Sequence, residues 1–234
     1  MQVSDINDID LPRLDLDRPA ADQIFTSLRD AILSMELAPG CVLSETEIGQ
    51  RFGASRTPVR SALAQLREQG LVVTWPSRGN YVSKLSEQKI RAAQFIRECL
   101  ELGIVRRLCE IGLTDEHLEK LEESLQRQNS AIQNDQDQDF HTHDEAFHNE
   151  LALATGMKTV QSVYMREKAD LDRLRHLGMN NEDHKSQLWA EHRAILDAVI
   201  ARNTPVAEIA MQAHVRCMLG KISGLKAANE DYFG

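Results

Sequence analysis

Two helix starts lie close together between Ser44 and Pro58, and the short gap between them dictates how the chain must turn. Ser44 followed by Glu47 is a capping box, in which each side chain accepts a hydrogen bond from the other residue's backbone N–H. Leu43 and Ile48 flank it as a hydrophobic staple. The helix so started can run only to about Phe52, because Gly53 stands where a left-handed residue ends a helix. Ser55 is placed to cap the next helix, and Pro58 falls in its first turn, where a missing N–H is tolerated. Val59, Ala62, Leu63 and Leu66 give that helix a buried stripe, and Gly70 ends it. Upstream, Ile24, Leu28, Ala31, Ile32 and Met35 predict an amphipathic helix over 20–36, closed by Ala38-Pro39-Gly40. Downstream, 71–74 and 80–83 have strand character, and Pro76-Ser77-Arg78-Gly79 between them has turn composition. Three helices followed by a β-hairpin make a winged helix-turn-helix, expected over residues 20–84.

Such a unit lays the second helix of its pair in the major groove of DNA, with the residues near that helix's N-terminus facing base edges. Here those residues are Ser55, Arg56, Thr57 and Arg60. Arg56 and Arg60 are four apart and share a face, while Val59 and Leu63 point into the core. Arginine reads guanine bidentately, and the hydroxyls of Ser55 and Thr57 suit phosphate oxygens. Arg78 and Gly79 at the hairpin tip are placed to enter the adjacent minor groove. Two arginines alone would be ordinary solvated charges, and a net charge of −9 over 234 residues argues against a polyanion partner. That average hides an asymmetry. Residues 49–84 carry +5, and residues 85–234 carry −7. A basic reader beside an acidic bulk implies two domains with different partners.

Residues 1–19 have no sustained apolar period and are expected to be a flexible leader. After Ser86 the pattern is helical, with six helices predicted at 87–111, 115–133, 139–154, 157–177, 183–202 and 205–226. They form an all-helical domain over 85–228, which makes the chain mainly α. The polar stretch 128–139 reads as a solvated connection, and Thr204-Pro205 as a helix start with Thr204 as its cap. Cys41, Cys99, Cys109 and Cys217 have no metal-type pairing and read as free thiols in a reducing cytoplasm. No apolar run is long enough for a membrane span.

The eight histidines all lie in the helical part. Asp144 and His148 are four apart on one helix face. His192 and His214 each stand 11 residues from Asn203. If the helices on either side of Asn203 fold back on each other, both imidazoles stand ~16 Å from the turn, at one level. One carboxylate and three imidazoles then suit Zn²⁺, Mn²⁺, Ni²⁺ or Fe²⁺. Spacing alone leaves alternatives open. His192 and His214 fit equally well as core histidines, and His141 and His143 compete as partners of Asp144 or His148.

The run Leu37-Ala38-Pro39-Gly40, Leu43-Ser44-Glu45, Phe52-Gly53-Ala54-Ser55-Arg56-Thr57-Pro58-Val59-Arg60 and Arg78-Gly79 resembles the DNA-binding domain of the GntR family of bacterial transcription regulators. Arg97-Glu98-Cys99-Leu100-Glu101, Asp144 to Leu151, Glu191 to Ala198 and Met211-Gln212-Ala213-His214 resemble the FCD effector domain of its FadR subfamily. By resemblance, Arg56 and Arg60 read bases and phosphates, Thr57 supports them and Gly79 sits at the wing tip. Thr46 departs from the pattern, since some relatives carry arginine there. The resemblance implies that Asp144, His148, His192 and His214 hold a divalent ion, Zn²⁺ foremost, with room for an anionic effector. Arg97 is the candidate effector clamp, with an intrahelical ion pair to Glu101 as the alternative. Arg173, Arg175 and His176 read as solvated helix residues, with secondary pocket roles as the alternative.

The expectation is a cytoplasmic, homodimeric regulator, in the repressor sense, and not an enzyme. Two heads would read a short inverted repeat in double-stranded DNA, and a small carboxylate bound beside the metal would control them. Three rivals remain: a regulator whose signal is the metal itself, a metal-dependent enzyme, and a DNA-binding protein with an inert bundle.

Overall fold

The computed structural model describes residues 6, 9, 11–167, 169–178 and 182–234. Contacts divide the chain into two units.

The first unit holds the residues up to Ile90. In α1 (Ala20–Leu33), Ile24, Leu28, Ala31 and Ile32 recur at helical spacing and all are buried. Next comes β1 (Val42–Leu43), then α2 (Glu45–Phe52), where Ser44 Oγ accepts from the Glu47 N–H at 3.3 Å. Gly53 ends α2 at φ +64°, a left-handed turn that glycine makes without strain. A Cβ on Gly49 would stand 3.0 Å from the Ala54 carbonyl, so a side chain there would force the turn to shift by a few tenths of an ångström. In α3 (Arg56–Glu68), Val59, Ala62, Leu63 and Leu66 are buried. Ser55 stands at the N-cap, as expected, but makes no side-chain capping bond. Strands β2 (Val72–Trp75) and β3 (Gly79–Val82) form the expected hairpin, with Trp75 opposite Gly79. β1 pairs antiparallel with β3, giving the order β1-β3-β2. Two residues are too few to show a period, so this strand was not visible in the sequence.

Two additions to this unit come from far along the chain. The first is most of α8 (Ala169–Gly178), and the second is the segment Ser223–Gly234. Arg173 of α8 is fully buried, not solvated. It donates to the Ser83 carbonyl at 2.5 Å and to Ser83 Oγ and Asp170, both at 3.2 Å. Arg175 is buried as well. Leu85 pairs in parallel with Phe233. The expected flexible leader is also partly packed. Ile6 and Ile9 are buried in the same core as Leu28 and Leu63, and Arg51 Nη2 donates to the Ile9 carbonyl.

The second unit contains most of α4 (Glu87–Ile111), with α5 (Asp115–Gln133), α6 (Asp137–Ala154), α7 (Lys158–Glu167), α9 (Glu182–Ile200) and α10 (Thr204–Arg216). α5 packs on α6 and on α9, and α9 packs on α10. The predicted helix at 157–177 is helical on both sides of residue 168, as α7 and α8, and residue 168 itself lies outside the described residues. The one predicted at 205–226 gives α10, a 3-10 turn at Cys217–Gly220 and α11 (Ile222–Ala228). Asn203, not Thr204, caps α10, accepting from the Val206 N–H at 3.3 Å. The stretch 128–139 is mostly helical, and Gln128 within it is wholly buried. All four cysteines are free thiols. Among the described residues no helix is long and apolar enough to cross a membrane.

Candidate functional site

The start of α3 is an exposed cationic edge. Ser55, Arg56, Thr57 and Arg60 are all exposed, while Val59 beside them is buried. Arg60 Nε pairs with Glu45 Oε2 at 2.8 Å, which holds the guanidinium at the helix surface. At the wing, Arg78 and Gly79 are exposed, and Gly79 has φ +100°. The Arg78 N–H donates to the Trp75 carbonyl at 3.0 Å, closing the tip. Trp75, 58% exposed, adds an apolar surface that no motif in the chain singles out.

In the second unit, α6, α9 and α10 bring three imidazoles together. His148 Nε2 lies 3.1 Å from His214 Nε2, and His192 Nε2 lies 3.2 Å from His214 Nε2. Among the described residues, these three form the group whose donor atoms are all mutually close. All three are buried. The equal spacing of His192 and His214 about Asn203 thus does bring them to one level. Asp144 is 2% exposed, with Oδ1 3.4 Å from His192 Nε2. It borders the group without entering it. His141 and His143 stay outside it as well.

Each imidazole has an acceptor behind it. His148 Nδ1 faces Glu101 Oε2 at 2.6 Å, His192 Nδ1 faces Gln128 Oε1 at 2.8 Å, and His214 Nδ1 faces Glu191 Oε2 at 2.8 Å. Phe147 stacks on His192 with ring centroids 4.7 Å apart. With Nδ1 hydrogen-bonded to an acceptor, the His192 and His214 rings present the Nε2 lone pair to the centre. Two bare nitrogens about 3 Å apart cannot hydrogen-bond to each other. Nitrogens each ~2.0–2.1 Å from one ion stand roughly 2.9–3.4 Å apart, for right-angle to tetrahedral coordination. The donor set and its spacing therefore fit a divalent cation held by His148, His192 and His214, with Asp144 adjacent.

Arg97, on α4, is 4% exposed. Its Nε bonds Glu101 Oε1, and its Nη2 lies 3.1 Å from His148 Nε2. The ion pair to Glu101 thus leaves Nη2 for a second partner, which here is the His148 ring. Glu101, Gln128 and Glu191 had not been singled out as site residues. Gln128 had a signal, since it falls on the α5 face made by Leu121, Leu125 and Ile132.

Burial opposes charge on His148 more than the neighbouring Glu101 favours it, and the imidazole is held down at about 4. For Glu101, burial pushes the carboxyl up, but Arg97 and His148 outweigh it and hold it well below the usual range. Between pH 4 and the ordinary 6.5, the unfolded chain therefore binds more protons at His148 than the folded one. Stability of the ion-free protein is expected to fall as pH drops through this window, and Glu101 adds to the loss below its ordinary 4.5. Urea unfolding in chelator at pH 7 and pH 4.5 checks this, and an unchanged midpoint would refute it.

Residues 20–82 match the family of bacterial regulatory proteins called gntR, and residues 94–216 match the FCD domain. The chain belongs to the GntR family. Its FCD domain places it with the FadR-type members. GntR proteins of this kind are DNA-binding regulators of transcription, not enzymes, and this chain is one of them. It is 36% identical over 211 residues to an uncharacterized HTH-type transcriptional regulator in an unstable DNA locus of Streptomyces ambofaciens, covering 90% of this chain and 88% of that one. It is 32% identical to the HTH-type transcriptional repressor RspR of Escherichia coli, covering 92% and 94%. The fold is similar to a GntR regulator from Rhodococcus sp. RHA1, with TM-score 0.74, 24% identity and coverage of 87% and 97%.

Proposed function

We propose that this GntR regulator is a repressor whose operator affinity is set by a small organic acid bound beside a divalent ion in the FCD domain. The observation that carries the reading is the convergence of three buried Nε2 atoms with Arg97 Nη2 at 3.1 Å from one of them. His148, His192 and His214 would hold the ion, with Asp144 as the adjoining carboxylate. The ion would supply a fixed positive charge for an anion. Zn²⁺ fits the nitrogen-rich set best, with Ni²⁺, Mn²⁺ and Fe²⁺ as the alternatives. Arg97 would take the effector's carboxylate through Nη2 without giving up Glu101. The repressor sense follows the 32% identical relative named as a repressor.

At the operator, Ser55, Arg56, Thr57 and Arg60 would meet the major groove, and Arg78 and Gly79 the adjacent minor groove. Two heads of a homodimer would read a short inverted repeat in double-stranded DNA, in the cytoplasm. The effector must favour one arrangement of the heads over the other, since equal affinity for both shifts nothing.

Elemental analysis of the purified protein, with operator binding measured against a panel of carboxylic acids, tests the reading. About one divalent ion per chain and operator release by one class of acid are expected. Release by metal removal alone, with no acid active, would replace the organic effector by the metal as signal. Turnover of an acid would replace the sensor by an enzyme. Sedimentation at micromolar concentration tests the dimer.

A further inference from the structure

The orientation of the His192 ring traces back to one backbone carbonyl. The His143 carbonyl can only accept. It receives Ser124 Oγ at 2.6 Å and Gln128 Nε2 at 3.0 Å. Gln128 is 0% exposed, and reversing its amide would set oxygen against oxygen there. Gln128 Oε1 is therefore fixed toward His192 Nδ1, at 2.8 Å. An acceptor in that place requires a proton on Nδ1. The ring then has its lone pair on Nε2, the atom 3.2 Å from His214 Nε2. A helix that provides no ion ligand thus decides which nitrogen of an α9 histidine faces the cluster.

We propose that Gln128 is a positioning residue for the metal centre, locking His192 as the Nδ1–H tautomer with Nε2 aimed at the ion. Glu191 does the same for His214. Gln187 Nε2 braces Glu191 in turn, at 2.8 Å. Acceptors of this kind behind metal-bound imidazoles typically alter affinity 10–100-fold. The inference rests on the metal reading above and extends it to residues that touch no ion.

Two substitutions separate positioning from plain structure. Gln128→Leu removes both the acceptor for His192 and the donor to the His143 carbonyl. Gln128→Glu keeps an acceptor oxygen and replaces the amide nitrogen. Zn²⁺ affinity is measured by competition with a chromophoric chelator. Imidazole ¹⁵N spectra of the ion-free proteins report the His192 tautomer without any metal. Positioning predicts a loss of about 10–100-fold for Gln128→Leu. It predicts an affinity near the parent's for Gln128→Glu, and an Nδ1–H His192 signature in the parent and the Glu variant only. Equal losses in both variants would assign Gln128 to the His143 contact alone and overturn the proposal. Unchanged affinity in both, or an Nε2–H tautomer in the parent, would also overturn it. If the parent fails to bind Zn²⁺ while the tautomers follow the prediction, the metal reading fails and the positioning of His192 stands.

Discussion

Zn²⁺ at a thousand times its dissociation constant is expected to raise the free energy of unfolding by about 4 kcal/mol, the amount that mass action assigns to a ligand of the folded state alone. The effect should be this direct because the three imidazoles come from distant parts of the sequence, His148 on α6, His192 on α9 and His214 on α10. The unfolded chain cannot gather them without paying the loop entropy that folding has already met. The buried rings are preorganised, since Gln128 and Glu191 hold the Nδ1 atoms of His192 and His214 and Phe147 stacks on His192. Little ordering is left for the ion to impose. Urea unfolding of the parent and of His192→Ala, each with and without Zn²⁺, gives the result. The parent's midpoint should rise steeply, and the variant should respond only through residual ligands. A parent whose midpoint is the same in Zn²⁺ and in chelator would refute the metal centre, whatever the head does with DNA.

How much of this was legible in the sequence depended on whether local geometry sufficed. Asp144 and His148 share a helix face by period alone. His192 and His214 meet because two helices of known rise leave one joint, and their nitrogens are indeed 3.2 Å apart. The reader helix was equally legible, since Ser44, Gly53 and Pro58 act within a few residues of themselves. Gln128 was not. In a run of Gln, Asn and Asp it looks solvated, and its burial comes from packing of α5 against α6 and α9. The burial of Arg173 was hidden for the same reason. Residues 157–177 have one helical pattern, and only Arg173 buried against Ser83 reveals where α8 belongs. Ile6 and Ile9 stand among acids with no period to show, so their place in the core depends on contacts with residues such as Leu28. Arg97 looked like a choice between two partners because a sequence does not show that one guanidinium offers separate nitrogens to each.

Operator affinity is expected to fall by about 1–3 kcal/mol for Arg60→Ala, and by a similar further amount when Arg56→Ala is added. The Arg60–Glu45 pair at 2.8 Å does not argue against this. The Arg60 side chain is 63% exposed, and pairs of that kind contribute only about 0–1 kcal/mol. A bidentate contact to guanine exceeds that, so DNA should draw the guanidinium away from Glu45. Removing the carboxylate in Glu45→Ala should then leave specific affinity unchanged or slightly raised, because a negative charge near the phosphates is lost. The decisive readout is sequence dependence. With an operator selected from random duplexes, a base-reading Arg60 predicts that Arg60→Ala narrows the gap between operator and scrambled DNA. A phosphate-binding Arg60 predicts equal weakening on both, with the salt slope reduced by about 1. Equal weakening would remove Arg60 from the base contacts.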